Sequence, residues 1–323
     1  MKKVLSIGEA TLDSFVFISE ANVHCNIDKS RCEFCINYAS KVMADDVQFH
    51  VGGNAANTAV SFSRLGFHSQ LYSMMGDDWI AKQIDDQLKK ESIDMKYIQV
   101  EKGPTSYATA MVFHGERNLV IYHVPREYNL PDFEEVDWIY LTSMGKACAR
   151  AYEKVVSFVK KTGAKVSFNP GTFQLKAGVV KLKPILEVTE AIFVNKEEAR
   201  LLTELPASST IKQLSEALFD LGPNIIVITD GPEGAYAFDG HQLLFCDIFP
   251  AEVVERTGTG DSFAAGFSAA LLNGEDIGEA MRWGMANSAG VVSKVGPEQG
   301  LLTKDEMAES LSDNHKIQPK KVR

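Results

Sequence analysis

The sequence predicts an α/β protein: a three-layer body on a central, mostly parallel sheet, carrying a small β-sheet lid. Three observations predict it. Short apolar runs alternate with amphipathic helical stretches along most of the chain, the pattern of successive βαβ units. Two segments, 12–18 and 106–124, instead alternate apolar and polar residues, as strands with one solvated face do. Apolar residues make up 45% of the 323 positions, enough for a full core.

The first apolar run is 3–7, KVLSI, followed by the alternation of Leu12, Ser14, Phe15, Val16 and Phe17. The opening MKKVLSIGEATLDSFVFI superficially resembles a signal peptide. Glu9 and Asp13 interrupt it, and no small-residue cleavage site follows, so a buried strand pair is expected. Residues 20–46 show little periodicity and read as an insertion. The stretch VGGNAANTAVSFSRLG, 51–66, reads as a strand end, a Gly-Gly pair and a helix. The segment 106–124 reads as a hairpin turning near His114 to Glu116. Runs 138–141, 165–168, 191–194 and 225–229 are buried strands, and 149–161, 211–221 and 262–272 have helical periodicity. The basic tail 314–323 is expected to fray. All of 1–323 reads as one domain. The carboxyl ends of its parallel strands form the usual ligand crevice, over which a lid of antiparallel strands would close.

The net charge of −10 argues against a nucleic-acid partner. No stretch is apolar for long enough to cross a membrane. Five cysteines in a chain of this size do not make a disulfide framework, which points to a reducing, cytoplasmic setting. His24, Cys25, Cys32 and Cys35 supply four soft ligands for a structural zinc, but the adjacency of His24 and Cys25 makes a tetrahedral site awkward. Free thiols in an ordered insertion are the expected state.

The sharpest local signal is RTGTGDSFAAGFSAALLNG, 256–274. Gly258, Thr259 and Gly260 let backbone amides approach an anion closely, and the helix that follows adds its own unpaired N–H groups. Such a nest suits the charge on a transferring phosphoryl group, and Asp261 stands where it could accept the proton of an attacking hydroxyl. The same residues also read as a plain N-cap. Neither GxxxxGK[ST] nor GxGxxG occurs. In the second glycine-rich entry, Gly52 and Gly53 permit close backbone approach to a ligand, and Asn54 and Asn57 offer amides suited to sugar hydroxyls.

Together the two segments resemble the signatures of the PfkB, or ribokinase-like, carbohydrate kinase family: GG-x-x-x-N leading into a helix that ends R-L-G, and later D-T-x-G-A-G-D. The resemblance runs from about residue 3 to 303. It implies an ATP-dependent kinase for a small sugar-like substrate, with Mg²⁺ and a homodimer formed through the lid. It implies Asp261 as base, Gly258, Thr259 and Gly260 as anion hole, and Asp13, Gly53, Asn54 and Asn57 as substrate-binding residues. Asn195 and Glu198 of NKEE resemble the residues that organise Mg²⁺ and phosphate through water. Thr229, Gly231 and Gly234 resemble the nucleotide loop, and Asn287 a residue near the adenine.

Arg256 stands where the family often has Asp, a departure that predicts weak K⁺ activation. Asn54 and Met144 replace a Lys and a Glu common in ribokinase-like members, so ribose is not favoured. Arg117 and Arg126 of the lid could hold a carboxylate or phosphate on the substrate, as in 2-keto-3-deoxygluconate kinase. A nucleoside kinase, with Phe15, Phe17 or Tyr122 stacking on a base, is the alternative. A catalytically silent sensor on the same fold is the rival from another class.

Overall fold

A computed structural model describes residues 1–26, 32–114 and 116–322. The first third of the chain forms β1 (Lys3–Ile7), β2 (Thr11–Phe17), β3 (Asn22–Cys25), β4 (Cys32–Cys35), β5 (Asp46–Gly52), α1 (Asn54–Arg64), β6 (His68–Tyr72), β7 (Met74–Met75), α2 (Trp79–Lys90) and β8 (Gln99–Val100). The middle forms β9 (Tyr107–Phe113), β10 (Glu116–Tyr122), β11 (Trp138–Leu141), α3 (Ala149–Thr162), β12 (Lys165–Phe168), α4 (Thr172–Ala177), α5 (Val179–Leu186), β13 (Ala191–Asn195), α6 (Lys196–Thr203) and α7 (Ile211–Phe219). The rest forms β14 (Ile225–Thr229), β15 (Ala235–Phe238), β16 (Leu243–Cys246), α8 (Thr259–Asn273), α9 (Ile277–Val292), α10 (Lys304–Asp313) and β17 (Lys320–Lys321).

The main sheet has the order β17–β16–β15–β14–β13–β12–β11–β1–β6. From β6 to β14 the strands are parallel; β15, β16 and β17 add an antiparallel edge. Side chains alternate across the sheet because a strand has period two. Leu5, Ile139, Val166, Ile192 and Ile226 face a core built with α3, α5, α6 and α7. Val4, Tyr140, Phe193 and Val227 face the opposite core, filled by α8, α9 and Phe62 of α1. Each large side chain buried this way contributes about 1.5–3 kcal/mol. The helix α8 presses closely on α9 because Gly266 and Gly284 leave room: a Cβ at Gly266 would lie 2.7 Å from the Trp283 carbonyl oxygen.

The lid is a four-stranded sheet in the order β10–β9–β2–β5. The hairpin of β9 and β10 turns at His114 as the sequence predicts, but β9 runs parallel to β2, so the lid is mixed and not purely antiparallel. Its register puts Asp13, Phe15, Ala108, Ala110, Arg117, Leu119 and Ile121 on one face. Leu12, Ser14, Val16, Phe49, Val120 and Tyr122 take the other.

Three expectations are corrected. The insertion contains a β3–β4 hairpin in which Cys25 and Cys32 sit directly opposite one another and form a disulfide; Cys35 keeps a free thiol. Cys25 and Cys32 are therefore neither free nor zinc ligands, and no cluster of three or more His, Cys, Asp or Glu fit to hold a metal occurs among the described residues. Residues 27–31 of the insertion lie outside the described residues. The tail does not fray: Lys320 and Lys321 pair with β16 and extend the sheet. No helix among the described residues is long and apolar enough to cross a membrane.

Candidate active site

Asp13 and Asp261 reach the site from opposite walls. Asp13 belongs to the body-facing side of β2, a few residues past the carboxyl end of β1, and is 6% exposed. Thr11 Oγ1 donates to its Oδ1 over 2.7 Å. A Cβ on Gly52 would fall 2.3 Å from Asp13 Oδ2. Gly52 thus makes room for this carboxylate, and not for a ligand as the Gly-Gly pair alone suggested. Burial pushes the Asp13 carboxyl up to about 6; Thr11 opposes this, Glu255 adds to it and Arg117 opposes it.

Asp261 lies in the first turn of α8, 8% exposed. Asn57 Nδ2 donates to its Oδ2 over 2.8 Å. Burial pushes the Asp261 carboxyl up to about 7; the Asn57 bond pulls it down and the charge of Asp13 pushes it up. Asn57 is 3% exposed, and its Oδ1 is buried without a hydrogen-bond partner. An acceptor left open beside a general-base candidate is a vacancy for a donor, and a substrate hydroxyl is one. Gly53 caps α1 at φ 90°, and a Cβ there would meet the Glu9 carbonyl oxygen at 2.5 Å. Asn54 is the first residue of that helix, half-buried.

Gly258 caps α8 at φ 78°, and a Cβ there would lie 2.6 Å from Pro297 Cβ. Thr259 follows, and the space in front of Gly260 is open to 4 Å. First-turn amides of a helix have no intrahelical acceptor, so this mouth can receive an anion. It also borders a cavity of ≈ 200 Å³, whose wall includes Thr229, Gly231, Gly234, Phe249, Thr259, Gly260, Phe263, Met285, Ser288 and Ala289. Three of the four sequence-predicted nucleotide-loop and adenine residues therefore line one cavity with the anion hole.

The fourth, Asn287, does not. It is fully buried, donates to Ser61 Oγ and the Ser262 carbonyl, and accepts from Leu302 N. It ties α1, α8 and α9 together, while its neighbours Ser288 and Ala289 face the cavity. Asn195 caps α6: its side chain accepts from Glu198 N, and Glu198 Oε2 accepts from Asn195 N. Burial raises the Glu198 carboxyl. Lys196 bonds Asp230 over 2.8 Å, which holds the start of α6 against the nucleotide loop.

The two lid arginines are engaged within the protein. Arg117 Nε forms an ion pair at 3.3 Å with Oε1 of Glu255, which is 2% exposed and accepts its hydrogen bonds from Thr257 N and Oγ1. Arg126 donates to Glu101 Oε2 and the Pro104 carbonyl and is 8% exposed; no contact brings it to Asp13 or Asp261. Counting back along the D-T-x-G-A-G-D pattern from Asp261 places the acidic residue at Glu255, one position before Arg256. A buried carboxylate therefore holds the motif's acidic place, and Arg256 gives no ground for expecting weak K⁺ activation.

Two site-neighbouring groups were missed in the sequence. Glu298 is 1% exposed, its Oε1 has no partner, and burial pushes its carboxyl up to about 8, with Glu91 raising it, Arg64 lowering it and Asp13 raising it. At the root of the lid, His123 Nδ1 lies 2.9 Å from Glu9 Oε2, and Glu9 raises the imidazole. Glu9 was visible only as a break in an apolar run.

The pfkB family carbohydrate kinase model matches residues 12–304. The chain belongs to this family of carbohydrate kinases. Ribokinase of Haemophilus influenzae is 26% identical over 274 residues, covering 82% of this chain and 88% of that one. 5-Dehydro-2-deoxygluconokinase of Shouchella clausii is 26% identical over 287 residues, covering 82% and 87%. The structure of Arabidopsis thaliana ribokinase complexed with ribose and ATP superposes with a TM-score of 0.78 at 21% identity, over 96% of this chain and 98% of that one. The ribokinase-like fold expected from the motifs is thus the observed one.

Proposed function

We propose that this carbohydrate kinase transfers the γ-phosphate of ATP to a hydroxyl of a small sugar or sugar acid, with Asp261 as base. One observation carries the reading: Asn57 donates to Asp261 while its own Oδ1 stays open, beside Asp13 and the mouth of α8. Asp13, Gly53, Asn54 and Asn57 hold the acceptor. The cavity at Thr229, Gly231 and Gly234 takes the nucleotide, with its γ-phosphate at Gly258, Thr259 and Gly260. Asp261, held near neutrality by burial, accepts the hydroxyl proton as the oxygen bonds to phosphorus and ADP leaves. Mg²⁺ arrives with nucleotide phosphates and needs only one or two protein carboxylates, and Glu198 offers one through water. It would supply charge neutralisation at the phosphates.

The lid supports a polyol over a nucleoside. Phe15 is fully buried in the lid's own core with Ala110 and Val112, Phe17 packs against it, and Tyr122 is on the outer face. On the body-facing side Ala108, Ala110, Leu119 and Ile121 are not aromatic, and the His50 ring packs edge-on against Phe15. A second copy is the partner that fits the outer face, where Val47, Phe49, Val120 and Tyr122 are exposed. One bridge in an exposed hairpin is not the dense framework of small secreted domains, and a cytoplasmic setting is retained.

The test is ADP release by the purified chain with ATP and a panel of sugars, sugar acids and nucleosides. Turnover confined to sugars or sugar acids supports the reading; turnover with nucleosides alone, or none with any acceptor, overturns it.

A further inference from the structure

The cavity assigned to the nucleotide has a peculiarity of charge. Its wall is apolar or uncharged throughout, except for Arg256 at the end next to Thr259 and Gly260. The other cations nearby are already paired with carboxylates, Arg117 with Glu255 and Lys196 with Asp230, while Asp261, Asp13 and Glu198 add negative charge in a chain of net charge −10. A nucleotide triphosphate adds more. The mouth of a helix carries only about half a positive charge, too little by itself to hold a polyphosphate in that field.

We propose that Arg256 grips the phosphates of the bound nucleotide. Its backbone is fixed to the anion hole, because its carbonyl accepts from Thr259 N and from Thr259 Oγ1 over 3.0 Å. Its side chain is uncommitted by comparison. The guanidinium is 44% exposed and faces Glu116 at the lid tip at 4.0 Å, a carboxylate that is itself 76% exposed. Exposed pairs at such separations contribute little, so phosphate can displace Glu116 without a large cost. Arginine suits the task because its planar fork bonds two phosphate oxygens at once. The departure of this motif from D-T-x-G-A-G-D then acquires a purpose: Glu255 supplies its acidic place and Arg256 a cation.

This inference rests on the assignment of the cavity to the nucleotide, and calorimetric titration separates the two. Wild type, Arg256→Gln and Arg256→Lys are titrated with ATP, ADP and adenosine. The expected result is a loss of roughly ten- to a hundredfold in ATP and ADP affinity for Arg256→Gln, with adenosine unchanged and Arg256→Lys between. The salt dependence of ATP binding should flatten in Arg256→Gln. Equal ATP affinity in wild type and Arg256→Gln overturns the proposal while leaving the cavity assignment standing. Parallel loss of adenosine assigns Arg256 a structural role and also overturns it. A wild type that binds no adenine compound removes both.

Discussion

Asn57 Nδ2 stands 2.8 Å from Asp261 Oδ2, so one hydrogen bond joins two motifs 204 residues apart in the chain. Removing the donor leaves the buried carboxylate without the one bond that favours its charged form, and its pKa rises further. Asn57→Ala should therefore move the acid limb of the kcat/KM profile, expected near pH 7 in wild type, to higher pH. The rate deficit should be larger at about pH 6.5 than at about pH 9. A limb that does not move would separate Asn57 from the base.

Asp261→Asn should lower kcat by about two to four orders of magnitude, the usual range for loss of a general base. It should also stabilise the fold at high pH. The folded pKa, about 7, lies above the ordinary 3.8, so ionisation of this group disfavours the folded state. That cost is absent below about pH 4, grows up to about pH 7 and is complete above it. Melting temperatures of both proteins at about pH 5 and pH 8 check the sign: the gain belongs to pH 8.

Gly52→Ala places a methyl where Asp13 Oδ2 now lies. The φ at this position does not demand glycine, so the backbone tolerates the change and the carboxylate must move. The acceptor KM should rise at least about tenfold, with ATP affinity near wild type, as expected when one misplaced group costs a polar contact. Steady-state kinetics with each substrate varied in turn reads the split.

Glu298 titrates near pH 8 in the folded state, against an ordinary 4.5. As for any acid whose pKa is raised by folding, stability falls as pH climbs between those two values. The Glu298→Gln variant keeps the shape and removes the titration. Its melting temperature should match wild type near pH 4 and exceed it increasingly up to about pH 8, with no further gain above that.

Thiol titration of the unfolded chain should find three reactive groups without reductant and all five cysteines after reduction, because Cys25 and Cys32 are bridged. Five without reductant would mean the bridge is absent. Cys32→Ser should leave kinase activity close to wild type, since its hairpin is exposed and touches the lid tip through Phe34 and Phe113.

The parallel sheet and α8 were legible in the sequence because their signals are local: apolar runs of strand length, and small residues after a Gly-Thr-Gly turn. Of β5 only the end was legible, just ahead of the Gly-Gly pair, because the irregular insertion before it masked the rest of Asp46–Gly52. What could not be read was which polar groups find partners across long separations. Asn287 looks the same in sequence whether it faces adenine or, as here, Ser61 of another helix. Arg126 looks like a free lid charge until Glu101 is placed beside it. The Cys25–Cys32 bridge needed the hairpin register, which composition does not contain.

The pairing of β2 between β5 and β9 has an evolutionary consequence. Adding or deleting one residue ahead of Asp13 in that strand would rotate its carboxylate to the opposite face of the lid, where Leu12 and Ser14 are buried, and bring Leu12 or Ser14 to the acceptor. Length change in this region is therefore tolerated only where the strands have let go of one another. The stretch between β2 and β5 is such a place, and in this chain it carries the β3–β4 hairpin.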